Sequence, residues 1–117
     1  MLGIQIIKLT TIGRKSGQPR SVLLNAFLIE ADYVVVGSNA GADTHSLWFL
    51  NLQANPAVTV EVSGEQFEAV ARITEGQERD RLWAEVVLAD PSYSEYLART
   101  ERVIPAVVLE PVMEQGL

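Results

Sequence analysis

The chain has 117 residues, of which 48% are hydrophobic; this suggests one domain over residues 1–117 and argues against disorder. The net charge of −6 is uneven: residues 1–29 carry four basic side chains and no acid, whereas residues 30–117 carry 5 basic and 15 acidic ones. A basic segment in an acidic protein favours a small anionic ligand over nucleic acid, whose binders are usually basic over a whole face.

Three strands are predicted in the first third of the chain. Apolar residues recur over Ile4–Leu9, and valine, leucine, phenylalanine and isoleucine dominate Ser21–Glu30 and Tyr33–Gly37. Two glycines and a proline predict a turn over Thr11–Pro19. The short connection Ala31-Asp32 predicts that the second and third strands form a hairpin.

A helix is predicted next, over Thr44–Ala54, with Asp43 or Thr44 as its N-cap and Asn55-Pro56 at its end. Apolar and polar residues then alternate over Ala57–Val62, which is the period of a half-buried strand. A Ser-Gly-Glu turn leads into a partner strand over Gln66–Ile73, so the two predict a second hairpin.

Two more helices and a last strand complete the chain. Capping boxes at Thr74–Gln77 and Ser92–Glu95 predict a helix of about residues 75–89 and a short helix after Pro91. Ala106–Val112 is predicted to be the final strand. The order β-β-β-α-β-β-α-α-β, with strands joined by hairpins, predicts a mainly β (α+β) fold: a small, partly open barrel of six mostly antiparallel strands with three helices.

The segment Gly13–Arg20 is the most informative motif. Arg14, Lys15 and Ser16 stand between Gly13 and Gly17, whose backbone freedom is expected to bare N–H groups, and Arg20 opens the next strand. This composition suits a phosphate or a polycarboxylate. The spacing differs from that of the P-loop and of the dinucleotide-binding motif, and a plain solubilising turn is the alternative interpretation.

Two other regions hold candidate site residues. The small residues of Gly37–Gly41 would let a planar ligand approach the backbone, unless this loop is a plain connection. Tyr93 and Tyr96 share a face of the short helix, where their hydroxyls could meet a carbonyl or nitro group. His45, near a helix start, is interpreted as a surface or cap residue rather than a catalytic one.

Catalytic side chains are scarce in this sequence. Cysteine is absent and histidine occurs once, which excludes disulfides, thiolate nucleophiles and metal sites rich in cysteine or histidine. If the protein is an enzyme, this scarcity favours a bound organic cofactor.

Five segments in chain order resemble the deazaflavin-dependent nitroreductase family, whose members are flavin/deazaflavin oxidoreductases of the split β-barrel, FMN-binding-like fold. The segments are Leu9–Arg20, Tyr33–Ser38, Trp48–Val60, Asp90–Tyr96 and Arg102–Pro111. The resemblance implies coenzyme F420, a deazaflavin with a phospholactyl-oligoglutamate tail, as cofactor. It also implies an oxidoreductase that transfers a hydride from reduced F420 to a quinone, an activated alkene or a nitro compound.

The resemblance also assigns roles to residues: the basic loop would hold the tail, the small-residue loop and the next helix would line the ring, and the tyrosines would form the substrate wall. The cofactor-binding candidates are Arg14, Lys15, Ser16, Gly17, Arg20, Gly37, Ser38, Asn39, Ala40, Gly41 and Trp48. The catalytic candidates are Tyr93, Tyr96 and Ser38, and no metal is implied. Two residues depart from the family pattern: the family often has a lysine at the position of Asn39 and an aromatic residue at the position of Asp90.

Two other interpretations stay open: FMN in place of F420, and a non-catalytic module that binds or carries the deazaflavin, FMN or a lipid-like anion. The expected partner is a small-molecule electron acceptor, with neither nucleic acid nor a stable membrane anchor, and the sequence neither requires nor excludes a homodimer. The N-terminus lacks the pattern of a signal peptide and no apolar run has the length of a membrane span, so the cytoplasm is the expected location.

Overall fold

The computed structural model describes residues 3–30, 32–37, 45–98 and 104–112, and the side chains of Tyr96 and Leu97 lie outside this description. Six strands and three helices occur within these ranges, in the predicted order. The strands are β1 (Gly3–Ile12), β2 (Pro19–Ile29), β3 (Asp32–Val36), β4 (Ala57–Val62), β5 (Glu65–Ile73) and β6 (Ala106–Pro111). The helices are α1 (Leu47–Ala54), α2 (Gly76–Ala89) and α3 (Tyr93–Ala98).

The six strands form one antiparallel barrel in the order β1-β2-β3-β6-β5-β4. Each strand pair in this order is antiparallel, as predicted. The expectation that the barrel is partly open is wrong, because residues 8–10 of β1 pair with residues 59–61 of β4 and close it. Both hairpins that the sequence predicts are present.

Apolar side chains fill the barrel and also cover part of its outer wall. All six strands and α1 contribute buried residues to the interior cluster. A second cluster joins the outer face of β2, β3 and β6 to α2. Successive residues of β3 alternate between the two clusters, with Val35 inside and Val34 and Val36 outside. This double burial explains why β3 reads as a continuous apolar run.

Helix α1 closes one end of the barrel interior. Trp48, Phe49 and Leu52 are buried in the interior cluster, and the helix ends at Ala54, before Pro56 as predicted. The predicted start is wrong: His45 and Ser46 are not helical, and the first turn runs from Leu50 N–H to the Ser46 carbonyl at 3.2 Å. The proposed cap residues Asp43 and Thr44 lie outside the described residues.

Neither predicted capping box is present, because tertiary or local partners take the hydroxyl groups. Thr74 Oγ1 donates to the Ala106 carbonyl at 2.8 Å, and α2 begins after Glu75 without a side-chain cap. Ser92 Oγ donates instead to Asp90 Oδ1 at 2.6 Å, and the same carboxylate oxygen accepts the Ser92 N–H at 3.1 Å. Asp90 therefore shapes the turn that leads into α3.

The approach to β6 is fixed from two sides. Arg79 and Trp83 of α2 direct three N–H groups at the Ile104 carbonyl, at 2.7–3.0 Å. On the other side, Gly37 N–H donates to the Pro105 carbonyl at 2.9 Å. A Cβ on Gly37 would lie 2.9 Å from Pro105 Cγ, so this close approach requires glycine.

Candidate functional site

A cavity of about 980 Å³ lies where the ends of β1 and β2 meet α1 and α3. Its size is at the upper end of the range for small-molecule sites. The lining residues come from the β1–β2 hairpin, β3, the start of α1 and the start of α3. They are Thr11, Gly13, Arg14, Lys15, Ser16, Arg20, Ser21, Val22, Leu24, Asn25, Val36, His45, Ser46, Leu47, Trp48, Asn51 and Tyr93.

The β1–β2 loop brings three cations to the cavity. Arg14, Lys15 and Arg20 are exposed, and none of them forms an ion pair with another described residue. Three arginines elsewhere in the described chain do contact carboxylate oxygens at 2.7–3.3 Å: Arg72, Arg79 and Arg81. The cavity therefore holds a group of cations that an anionic ligand would neutralise.

The backbone of this loop does not bare the N–H groups that the two glycines were expected to expose. Gly13 N–H donates to the Gln18 carbonyl and Gly17 N–H to the Gly13 carbonyl, both at 2.8 Å. Ser16 Oγ accepts from Gln18 N–H at 3.1 Å and from Arg20 Nη2 at 3.5 Å. These bonds close the loop on itself, so its side chains rather than the glycine amides face a ligand.

The buried side-chain amide of Asn51 on α1 forms hydrogen bonds with the β1–β2 hairpin. Asn51 Oδ1 accepts the Arg14 N–H and Asn51 Nδ2 donates to Thr11 Oγ1, both at 3.1 Å. Asn51 is 9% exposed and Thr11 1% exposed. Neither residue was predicted from the sequence, although a polar residue three positions after Trp48 in an apolar helix was a usable signal.

Aromatic side chains form other parts of the cavity wall. Trp48 is buried and meets Phe49 edge-on, at 6.3 Å between ring centroids. Tyr93 packs edge-to-face on Phe27 at 5.3 Å, and its hydroxyl accepts a hydrogen bond of 3.4 Å from Asn25 Nδ2. The Tyr93 hydroxyl is thus held at the cavity wall by a polar neighbour.

His45 is placed differently from the prediction. It lines the cavity, is partly buried, and its ring centroid lies 4.7 Å from that of Phe49. The N-cap of α1 is Ser46, so His45 is neither a cap nor a simple surface residue. Phe49 stands four residues after His45, so this ring contact is local in the chain.

The structure brings six of the predicted site residues together around the cavity: Arg14, Lys15, Ser16, Arg20, Trp48 and Tyr93. Gly17 and Gly37 are not among the lining residues, and Gly37 packs against Pro105 instead. Four candidates lie outside the described residues: Ser38, Asn39, Ala40 and Gly41. The side chain of Tyr96 lies outside them as well. The roles given to all these residues stay predictions.

Comparison with known proteins places the chain in a family. Residues 1–111 match the sequence profile of the F420H(2)-dependent quinone reductase family. The chain belongs to this family. It is 36% identical over 104 residues to an F420H(2)-dependent quinone reductase of Mycobacterium tuberculosis strain H37Rv, and the match covers 86% of this chain and 70% of the relative.

Two solved structures share the fold at the same level of identity. A structure of an F420-H2 dependent reductase, FDR-A, superimposes with a TM-score of 0.82 at 37% identity, covering 91% of this chain and 94% of that one. A second, described as a domain-swapped dimer, has the same TM-score and identity and covers 91% of this chain and 80% of its own. These findings confirm the split β-barrel and the prediction of an F420-dependent oxidoreductase.

The cavity residues fit the chemistry of F420. Its phosphate and glutamate groups are anions, and the loop offers three cations that pair with no carboxylate among the described residues. Its ring is planar and aromatic, and Trp48, Leu24 and Val36 supply apolar side chains that can pack against the face of such a ring. In the described part of the chain, no helix is long and apolar enough to span a membrane.

Proposed function

We propose that this protein uses reduced F420 to reduce a quinone, and that Arg14, Lys15 and Arg20 hold the anionic tail of the cofactor. The observation that carries the proposal is the group of three cations at the cavity, which no described carboxylate neutralises. The quinone as acceptor follows from the family and from the M. tuberculosis relative.

Side chains, rather than the glycine amides, bind the tail in this proposal. The Gly13 and Gly17 N–H groups are already bonded within the loop, whereas the guanidinium and ammonium groups are exposed. A hydrogen bond to a charged group contributes about 1.5–3 kcal/mol before solvent screening, so a few such bonds can anchor a ligand. Because the cations are exposed, binding weakens as salt rises.

Binding of F420 also requires a place for its deazaflavin ring. Trp48 lies buried in the cavity wall, and we assign it to the ring face of the site. Ser38, Asn39, Ala40 and Gly41 follow directly after Gly37 in the sequence, and we assign them to the ring as well. Gly37 contributes indirectly, because its lack of a side chain lets Pro105 pack against its backbone.

The acceptor end needs a proton donor. Bound F420, in its reduced form, supplies the hydride, and a quinone becomes a hydroquinone only when it also takes up a proton. Tyr93 is the described hydroxyl best placed for this role, because it lines the cavity and Asn25 orients its oxygen. Ser38 and Tyr96 are the other candidates. The domain-swapped dimer among the related structures supports a homodimer for this chain as well.

A turnover assay tests the proposal. Purified protein is mixed with reduced F420 and menadione, and oxidation of the deazaflavin is followed by its ring absorbance. We expect oxidation that depends on both protein and acceptor. Tight binding of F420 without turnover would identify a carrier instead, and FMN binding about tenfold more tightly than F420, or roughly 1.4 kcal/mol, would overturn the cofactor assignment.

A further inference from the structure

We infer that Asn51 is a positioning residue for the anionic tail of the cofactor, acting through the backbone of Arg14. This inference rests on the proposed function and adds to it a support that connects α1 to the loop. The support runs from Thr11 Oγ1 through the Asn51 carboxamide to the Arg14 N–H, with both hydrogen bonds at 3.1 Å.

The hydrogen bond between Arg14 and Asn51 matters because it joins the loop to a different element of the fold. The hydrogen bonds of Gly13, Ser16, Gly17 and Gln18 stay within the β1–β2 hairpin. The bond from Arg14 N–H to Asn51 is the one that links the loop tip of the described structure to another element. Arg14 is also one of the three cations, so the support ends at a residue that is proposed to touch the ligand.

Repulsion among the loop cations explains why the loop benefits from this hydrogen-bonded support. Arg14, Lys15 and Arg20 are like charges gathered on one short loop, and they repel each other until an anion binds. A backbone anchor at Arg14 holds the cations together before the ligand arrives, which removes part of the ordering cost of binding. Loss of the anchor should therefore weaken cofactor binding rather than slow the chemistry of bound cofactor.

The nature of residue 51 agrees with positioning rather than with packing. Its neighbour Leu52 is 1% exposed and packs in the barrel interior as an ordinary apolar side chain. A carboxamide in a buried position destabilises the fold unless both its donor and its acceptor find partners. Asn51 finds them in Thr11 and in Arg14, and it shares its helix face with Trp48 of the cavity wall.

Substitution of Thr11 tests the inference with little change in shape. Thr11→Val removes the oxygen that orients Asn51, Thr11→Ser keeps it, and Asn51→Leu removes the support itself. Thr74→Val is the matched control, because Thr74 is 3% exposed, donates to the Ala106 carbonyl at 2.8 Å and does not line the cavity. If Asn51→Leu fails to fold, the two Thr11 variants still decide the question.

Two measurements are made on each variant: hydrogen exchange of the Arg14 amide, and the F420 affinity by ring fluorescence. We expect faster exchange and a Kd raised about tenfold in Thr11→Val, with the loss in KM for reduced F420 rather than in kcat. Thr11→Ser should bind like the wild type, and Thr74→Val should lose stability without losing affinity.

The outcomes separate this inference from the proposed function. Failure of the wild-type protein to bind F420 contradicts the proposed function. Normal wild-type binding with an unchanged Kd in Thr11→Val overturns only the role of Asn51. A Kd raised equally in Thr74→Val also overturns it, because the effect would then follow from general destabilisation.

Discussion

Arg14, Lys15 and Arg20 act locally in a chain whose net charge is −6. At physiological ionic strength the field of distant carboxylates is screened beyond about 8–10 Å, so nearby cations dominate what an anion meets at the cavity. The acidic remainder then matters mainly through the pairs it forms, as between Arg81 and Glu30 at 3.2 Å. The place where an anion binds therefore depends on which cations have no carboxylate partner nearby.

The Tyr93 hydroxyl is the residue-scale feature most open to test. Tyr93→Phe keeps the edge-to-face contact with Phe27 and removes the proposed proton donor. We expect kcat for menadione reduction to fall about tenfold or more, because a positioned general acid is lost. Tyr33→Phe is the control, since Tyr33 stacks on Phe67 and does not line the cavity. Full turnover by Tyr93→Phe would exclude the role.

At the scale of single residues, the sequence predicts features that depend on neighbours along the chain and misses contacts between distant residues. The cations of residues 14–20 were predicted because charge and turn composition are local properties. Asn51 was missed because its partners, Thr11 and Arg14, lie 40 and 37 residues away. The expectation for the glycine N–H groups was wrong because the closing bonds of the loop depend on its exact path, which composition does not give.

The elements themselves were predicted to within a few residues where alternation is strong. Ala57–Val62 was predicted with the bounds of β4, because its inward valines and outward polar residues alternate without a break. Helix starts were predicted less well. Thr74 resembles a capping residue in sequence, but its hydroxyl bonds to Ala106 across the fold, and tertiary contact overrides the local preference.

An ion pair between elements gives a prediction about pH. Arg72 of β5 donates to Glu78 of α2 at 2.7 Å and to Glu110 of β6 at 3.3 Å. The hydrogen bond from Arg72 lowers the pKa of Glu78 below its ordinary value of 4.5. A lowered carboxylate pKa stabilises the folded state above the ordinary value, and this stabilisation is lost as pH falls through the lowered pKa.

Glu78→Gln should remove that dependence. We expect a small loss of thermal stability near neutral pH, because the pair is partly exposed, and a smaller fall in melting temperature than the wild type shows between about pH 5 and about pH 3. Glu85→Gln on the same helix is the control, since Glu85 forms no ion pair with the described residues. If the melting temperatures of wild type and Glu78→Gln fell equally as the pH was lowered, this role of Glu78 would be contradicted.

At the scale of the whole molecule, the barrel explains where a ligand can bind. Its interior is filled by apolar side chains from six strands and α1, so the cavity forms at one end, between the β1–β2 loop and α1. The fold alone does not decide the chemistry, because similar barrels carry different functions. The function follows from family membership and from the residues grouped at that end.

Recognition of the F420 tail by the loop cations can be measured in one titration. F420 and a deazaflavin riboside that lacks the tail are each titrated against wild type, Arg14→Ala/Lys15→Ala, and Lys8→Ala. Lys8 is the control, because it is exposed on β1 and does not line the cavity.

We predict that wild type and Lys8→Ala bind F420 about 100-fold more tightly than the tail-free compound, which corresponds to about 2.7 kcal/mol for two screened charged contacts. The double variant should lose most of this preference, because it keeps Arg20 alone of the three loop cations. A double variant that keeps the full preference for F420 would contradict the account.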